Sequence, residues 1–134
     1  MAELLIVDDD EDLAELLEEA LVDRGHQIRR AGNGQEGLDE LARQVPDAIL
    51  LDVEMPELDG PAMALQMYLR DRGLEAIPIV LVSGIVGLRD IAARVGTPYF
   101  LEKPYTLEAL TALCDRALAE RVAPVPTEPA HVRA

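Results

Sequence analysis

Carboxylate, hydroxyl and ammonium groups stand at or just past the ends of short apolar runs in this chain. Residues 4–7 (LLIV) lead into Asp8 and Asp9, residues 48–51 (AILL) into Asp52, and residues 79–82 (IVLV) into Ser83. Lys103 follows a fourth run, residues 99–101 (YFL), after one intervening residue. Three carboxylates held together repel, so either a proton or a cation must sit among them. Oxygen-only donors suit a hard cation, and Mg²⁺ takes few protein ligands while keeping several waters. Mg²⁺ bound by one or two carboxylates suits phosphoryl chemistry, because it neutralises charge on the transferring oxygens. In such a set Asp52 is a candidate nucleophile that would form an aspartyl phosphate. Lys103 offers a mobile point charge for one phosphoryl oxygen, and Ser83 a hydroxyl donor for another.

That chemistry requires the apolar runs to end on one edge, and their spacing predicts that they do. Five strand-like runs, at 4–7, 27–31, 48–51, 79–82 and 99–101, alternate with helical patterns. Three of the runs are almost wholly apolar, as strands buried on both faces should be, whereas Arg29 and Arg30 mark 27–31 as an edge strand. Leu13, Leu16, Leu17, Ala20 and Leu21 trace one apolar helix face, and Gly25 stands where a left-handed residue would follow its end. Leu38, Leu41, Ala42 and Val45 repeat the pattern before Pro46. Further helices are expected over roughly 60–71, over 87–95, and from the N-cap candidate Thr106. Strand–helix alternation repeated five times predicts an α/β fold, a doubly wound parallel sheet with helices on both faces. In such a sheet ligands bind at the carboxyl ends of the strands, which is where the polar residues fall.

Composition narrows the function classes. The chain has 134 residues, 49% of them hydrophobic, a mean hydropathy of +0.07 and a formal net charge of −14. That charge argues against a nucleic-acid or membrane-surface partner, both of which call for Lys and Arg. The single Cys114 excludes an internal disulfide, and no apolar run approaches the ~20 residues of a membrane span. The N-terminal residues also lack the order of a signal peptide, so a cytoplasmic location is expected. Residues 124–134 carry three prolines and no apolar periodicity, which divides the chain into a domain at 1–123 and a flexible tail at 124–134.

The stretches "LLIVDDD", "DAILLDVEMPELDG", "IPIVLVSG" and "YFLEKPYTLEAL" resemble the receiver domains of response regulators in bacterial two-component signalling, over about residues 3–121. The resemblance implies a flavodoxin-like (βα)5 fold with strand order 2-1-3-4-5, of the single-domain, chemotaxis-regulator-like kind. Carried over residue by residue, it implies Mg²⁺ bound by Asp9, by Asp8 partly through water, by Asp52 and by the backbone carbonyl of Glu54. Asp52 would be the phosphoacceptor, assisted by Lys103 and Ser83, with Ser83 and Phe100 as the switch pair and a cis peptide before Pro104. The implied partners are a sensor histidine kinase or phosphotransfer protein and a downstream protein. That protein would read the face made by helix 87–95, the fifth strand and the last helix, on a monomer or weak homodimer. Such a protein is a signalling module that assists its own phosphorylation and dephosphorylation, not an enzyme.

The chain departs from the family pattern at Gly84, where a small residue such as Ala is usual, at Glu54 and Ile85, and over the short span from Ser83 to Phe100. These departures keep open a phosphorylation-independent interaction module. A small Mg²⁺-dependent phosphatase is a weaker reading, because Glu54 stands where such enzymes carry a second aspartate. Other residues have structural readings. Asp10, Glu11 and Asp12 are an N-cap and two first-turn acids favoured by the helix dipole. Asp59 and Gly60 form a turn, Tyr105 packs beside the proline, and Cys114 is a small buried hydrophobe. Arg29, Arg30, His26 and His131 read as solvated surface.

Overall fold

The structure, a computed structural model, describes residues 2–53, 62–64, 76–84 and 86–125. The expectations for Glu54, Asp59, Gly60, Ile85, most of 60–71 and everything from 126 onward, His131 included, lie outside these residues.

Five parallel strands form one sheet: β1 (Glu3–Val7), β2 (Gln27–Ala31), β3 (Ala48–Asp52), β4 (Ile79–Ser83) and β5 (Tyr99–Glu102). Their order is β2-β1-β3-β4-β5, so β2 is an edge strand and β1, β3 and β4 are covered on both sides. Every side chain of β3 and β4 is buried, which is why those runs carry no alternation. Register aligns Val7 with Leu51, Leu51 with Leu81, and Leu81 with Phe100. Because all strands run the same way, the residues just past that row meet at one edge.

The sheet divides the core in two. Leu5, Val7, Ile49, Leu51, Ile79 and Leu81 point to one face, against α2 (Gly34–Arg43), the helical residues 62–64 and α3 (Leu88–Val95). Leu4, Ile6, Ala48, Leu50, Val80 and Val82 point to the other, against α1 (Glu11–Val22) and α4 (Leu107–Glu120). This is period-two alternation read across a sheet buried on both sides. The helix starts follow their local sequence. Asp10 caps α1 by accepting from the Leu13 N–H, Asn33 caps α2 through Glu36, and Thr106 caps α4 through Ala109. The short α3 lies between Gly87 and Gly96, at φ 87° and 84°, a left-handed conformation that favours glycine.

Four sequence expectations are corrected. On α1, Leu16 is 47% exposed while Ala14 is buried, so the packed stripe is Ala14, Leu17 and Leu21. On α2, Ala42 and Val45 are exposed and the buried face is Gly34, Gly37, Leu38 and Leu41. In both helices a side chain small enough for close approach to the sheet faces inward. The tail expected from 124 is docked over its first two residues: Pro124 is buried, and the Val125 N–H donates to the Gly96 carbonyl at 3.2 Å. Any Cβ at Gly96 would meet the Val125 backbone, so this approach also depends on glycine.

The fourth correction concerns Arg29 and His26, which are not solvated surface. The Arg29 guanidinium donates to Glu3 and Glu40 carboxylates at 2.9 Å each and to the carbonyls of Glu40 and Gln44, tying α2 across β2 to β1. His26 is 12% exposed at its side chain, and its Nε2 lies 3.4 Å from Asp115 of α4, which also pairs with Arg24. Both residues meet partners far away in sequence, which no local pattern encodes.

The hydrogen bond from Arg29 holds the Glu40 carboxyl below its ordinary value of 4.5. Arg29→Ala should cost about 1–2 kcal/mol at neutral pH, since it strands two half-buried carboxylates. A lowered carboxyl pKa stabilises the fold above the ordinary value and ceases to do so as pH falls through the folded one. In urea titrations the gap between wild type and variant should therefore narrow as pH falls below 4.5, leaving the part owed to the two carbonyl bonds, which do not titrate.

Candidate phosphoryl-acceptor site

Asp8, Asp52 and Ser83 end or follow strands that carry them to the same sheet edge, and they are buried to 3%, 6% and 1% exposure. The Asp8 N–H donates to the Ala31 carbonyl at 3.1 Å, which continues the β1–β2 ladder one residue past the strand. Asp52 pairs in register with Val82, and the Val53 N–H reaches the Val82 carbonyl at 3.2 Å, leaving little freedom at the β3 end. Asp9 follows Asp8 and is exposed. One carboxylate oxygen from each of Asp8, Asp9 and Asp52 lies within 4.8 Å of the others. At that separation each pair of charges repels by about 1 kcal/mol in a water-like medium and about 3 kcal/mol at an effective dielectric of about 20.

Asp8 is perturbed chiefly by its burial and only secondarily by its acidic neighbours. Burial raises its carboxyl pKa above the usual aspartate value; the Asp10 N–H and the Lys103 charge oppose the rise, and the charges of Asp9 and Asp10 add to it. Its Oδ1 accepts from the Asp10 N–H at 2.9 Å, so the residue that caps α1 also orients Asp8. Its Oδ2 is buried and has no hydrogen-bond partner among the described residues. A buried carboxylate oxygen left without a donor is costly. An oxygen-preferring divalent cation at the three carboxylates would satisfy Oδ2 and cancel the repulsion, so the donor set fits Mg²⁺.

The remaining groups come from β4 and β5. Ser83 ends β4, and its carbonyl accepts from the Lys103 N–H at 2.8 Å, which ties the Lys103 backbone to the Ser83 strand end. The Lys103–Pro104 peptide is cis. Among the described residues, a Cβ placed on Gly84 would meet only the Lys103 Cβ, at 3.7 Å, an ordinary contact. Phe100 is half-buried against the α2/α3 side of the core, and the Arg89 guanidinium lies 5.6 Å from its ring centre. Sequence reasoning had no signal for Arg89, because the stack joins α3 to β5. An acidic cleft of about 380 Å³, lined by Asp8, Glu11, Asp12, Arg30, Gly32 and Glu36 among others, adjoins the carboxylates.

The structure thus brings Asp8, Asp9 and Asp52 together, sets Ser83 on the same edge, and brings the Lys103 charge to bear on Asp8. Two outcomes are expected. Asp8→Asn should raise the melting temperature of the metal-free protein, since it removes a buried charge while keeping the oxygen that caps Asp10. It should also abolish any further rise on adding Mg²⁺, as measured by differential scanning calorimetry. Gly84→Ala should stabilise by about 0.4–1 kcal/mol in urea unfolding, because the space is open and the unfolded chain loses freedom.

The comparisons agree with this geometry. The family model for the response regulator receiver domain matches residues 4–115. Response regulator MprA of Mycolicibacterium vanbaalenii is 38% identical over 123 residues, 90% of this chain and 52% of that protein. The chain therefore spans about half the length of the curated relatives it matches. The signal receiver domain of a signal transduction histidine kinase from Syntrophus aciditrophicus superposes with a TM-score of 0.82 at 30% identity, over 97% of this chain and 99% of that one. A putative response regulator from Chloroflexus aurantiacus gives 0.81 at 31% identity, over 88% and 98%. By its matched sequence, its strand order and its shared fold, this chain belongs to the response regulator receiver domain family.

Proposed function

We propose that this receiver accepts a phosphoryl group on Asp52 from the phosphohistidine of a sensor histidine kinase or phosphotransfer protein, with Mg²⁺ bound. The observation that carries the reading is the trio of carboxylates at one sheet edge, two of them buried, with one Asp8 oxygen that has no partner among the described residues. Asp8, Asp9 and Asp52 would hold the ion, with the Glu54 carbonyl. Bound there, Mg²⁺ neutralises charge on the phosphoryl oxygens as they move.

The protein groups then have separable tasks. An Asp52 carboxylate oxygen attacks phosphorus, forming the O–P bond of an acyl phosphate as the P–N bond to the donor imidazole breaks. The electron pair of that bond returns to the ring, which leaves neutral because its other nitrogen carries a proton. The Lys103 ammonium pairs with a phosphoryl oxygen, and the Ser83 hydroxyl donates to another. The burial that confines Asp52 also limits water at the acyl phosphate, so the modification outlasts the encounter. Ser83 of β4 stands opposite Glu102 and Phe100 of β5 opposite Leu81, so the two lie on neighbouring strands two register positions apart. A shift of Ser83 toward the phosphoryl group would let Phe100 move inward, out of its stack with Arg89. The surface formed by α3, β5 and α4 would then repack for a downstream protein.

Incubation with Mg²⁺ and acetyl phosphate should add one phosphoryl group by intact mass, and Asp52→Asn should add none. Lys103→Ala should slow the modification by an order of magnitude or more, as loss of a charge aimed at the transferring group does. Equal labelling of Asp52→Asn, or no labelling of the wild type, overturns the reading.

A further inference from the structure

Among the described residues three buried side-chain atoms have no hydrogen-bond partner: His26 Nδ1, just before β2 at the amino edge of the sheet, and, past the carboxyl ends of β1 and β5, Asp8 Oδ2 and the Tyr105 hydroxyl oxygen. Strand periodicity sets the latter two on the same side. Leu4 and Ile6 of β1, and Ala48 and Leu50 of β3, face α1 and α4, and Asp8 and Asp52 continue those two series. The Tyr105 ring packs against that same cluster, which includes Ile6, Ala14, Leu110 and Cys114. A buried phenol ordinarily finds a partner for its O–H, and a buried carboxylate oxygen finds a donor. Among the described residues, this side of the core thus holds one donor and one acceptor without partners.

We propose that Tyr105 is a positioning residue for Asp8, its hydroxyl donating to Asp8 Oδ2 through one bridging water and so fixing the carboxylate that faces the metal. Buried polar groups too far apart for a direct bond are commonly joined in this way. The donor is a durable one. Burial first, and then the negative charges of Asp8 and Asp52, push the Tyr105 phenol up to about 12, so it keeps its proton throughout the physiological range. The arrangement also divides the work on Asp8: the Asp10 N–H holds Oδ1 from the α1 side, and Tyr105 serves Oδ2 from beneath. A phenylalanine at this position would pack equally well but leave Oδ2 to the ion alone. Outer hydrogen-bond partners of metal-binding carboxylates typically govern affinity by 10-fold or more.

This proposal rests on Asp8 being a metal ligand, so its test carries a metal-free readout as well. In calorimetric titrations with Mg²⁺ and no phosphodonor, Tyr105→Phe should bind about tenfold more weakly than wild type. Leu113→Ala, which loosens the same cluster without touching a polar atom, should change affinity by less than about twofold; an equal loss there would assign the effect to packing and overturn the proposal. In the metal-free protein labelled with ¹³C at tyrosine Cζ, a hydroxyl held by a hydrogen bond exchanges slowly. In an equal mixture of light and heavy water, Tyr105 should then give two resolved signals that collapse to one in Asp8→Ala. A single averaged signal in the wild type overturns the proposal, as does Tyr105→Phe binding Mg²⁺ with wild-type affinity. If the wild type binds no Mg²⁺, the metal reading fails, and the Cζ signals still decide whether Tyr105 serves Asp8.

Discussion

The confinement of like charges at the edge of a rigid sheet is the constraint on which the rest of this molecule turns. Asp8 and Asp52 sit at the ends of adjacent strands whose other residues form the centre of the core. Neither backbone can retreat without breaking the ladder that holds Val7 beside Leu51. Their carboxylates, with Asp9, are therefore held closer than they would settle in water. Relief must come from outside the backbone, from a proton, a cation or the hydrogen bonds around them. The divalent metal and phosphoryl group proposed for this site would supply part of that relief.

The scaffold is suited to maintaining that strain. Both core clusters are aliphatic with few exceptions, and every residue of β3 and β4 is buried, so the central strands act as a fixed platform. The parts that can respond lie at one side. The β4–α3 connection contains Gly84 and Gly87, α3 is only eight residues long, and β5 is an edge strand whose Phe100 is half-buried under Arg89. The proposed response to a change in charge at Asp52 would use that division, a buried centre beside a short edge strand and a short helix.

Much of this could be read from the sequence. All five strands fall within a residue of their expected ends, because runs bounded by polar residues leave little choice of register. The division of "DDDED" was legible only against the other strand ends: Asp52, Ser83 and Lys103 assign Asp8 and Asp9 to the strand edge, whereas Asp10 caps α1 and Glu11 and Asp12 complement its first turn. Leu16 and Ala14 show where such reading stops. Periodicity says that a helix has an apolar stripe, but the rotation of the stripe is set by how closely the sheet allows the helix to approach.

The sequence by itself determined the alternation of strands and helices, the residues that would stand at the carboxyl edge, and the sign of their charge; the strand order came only with the family resemblance. Those properties depend on period, composition and motif, all of which are local. Tertiary structure alone decided which of the acids are buried, and that among the described residues neither one Asp8 oxygen nor the Tyr105 hydroxyl on the same side has a hydrogen-bond partner. It also turned Arg29 and His26 from surface residues into ties between distant elements. The reason is common to all of these: desolvation and hydrogen bonding depend on which atoms arrive around a group after folding, and those atoms come from anywhere in the chain.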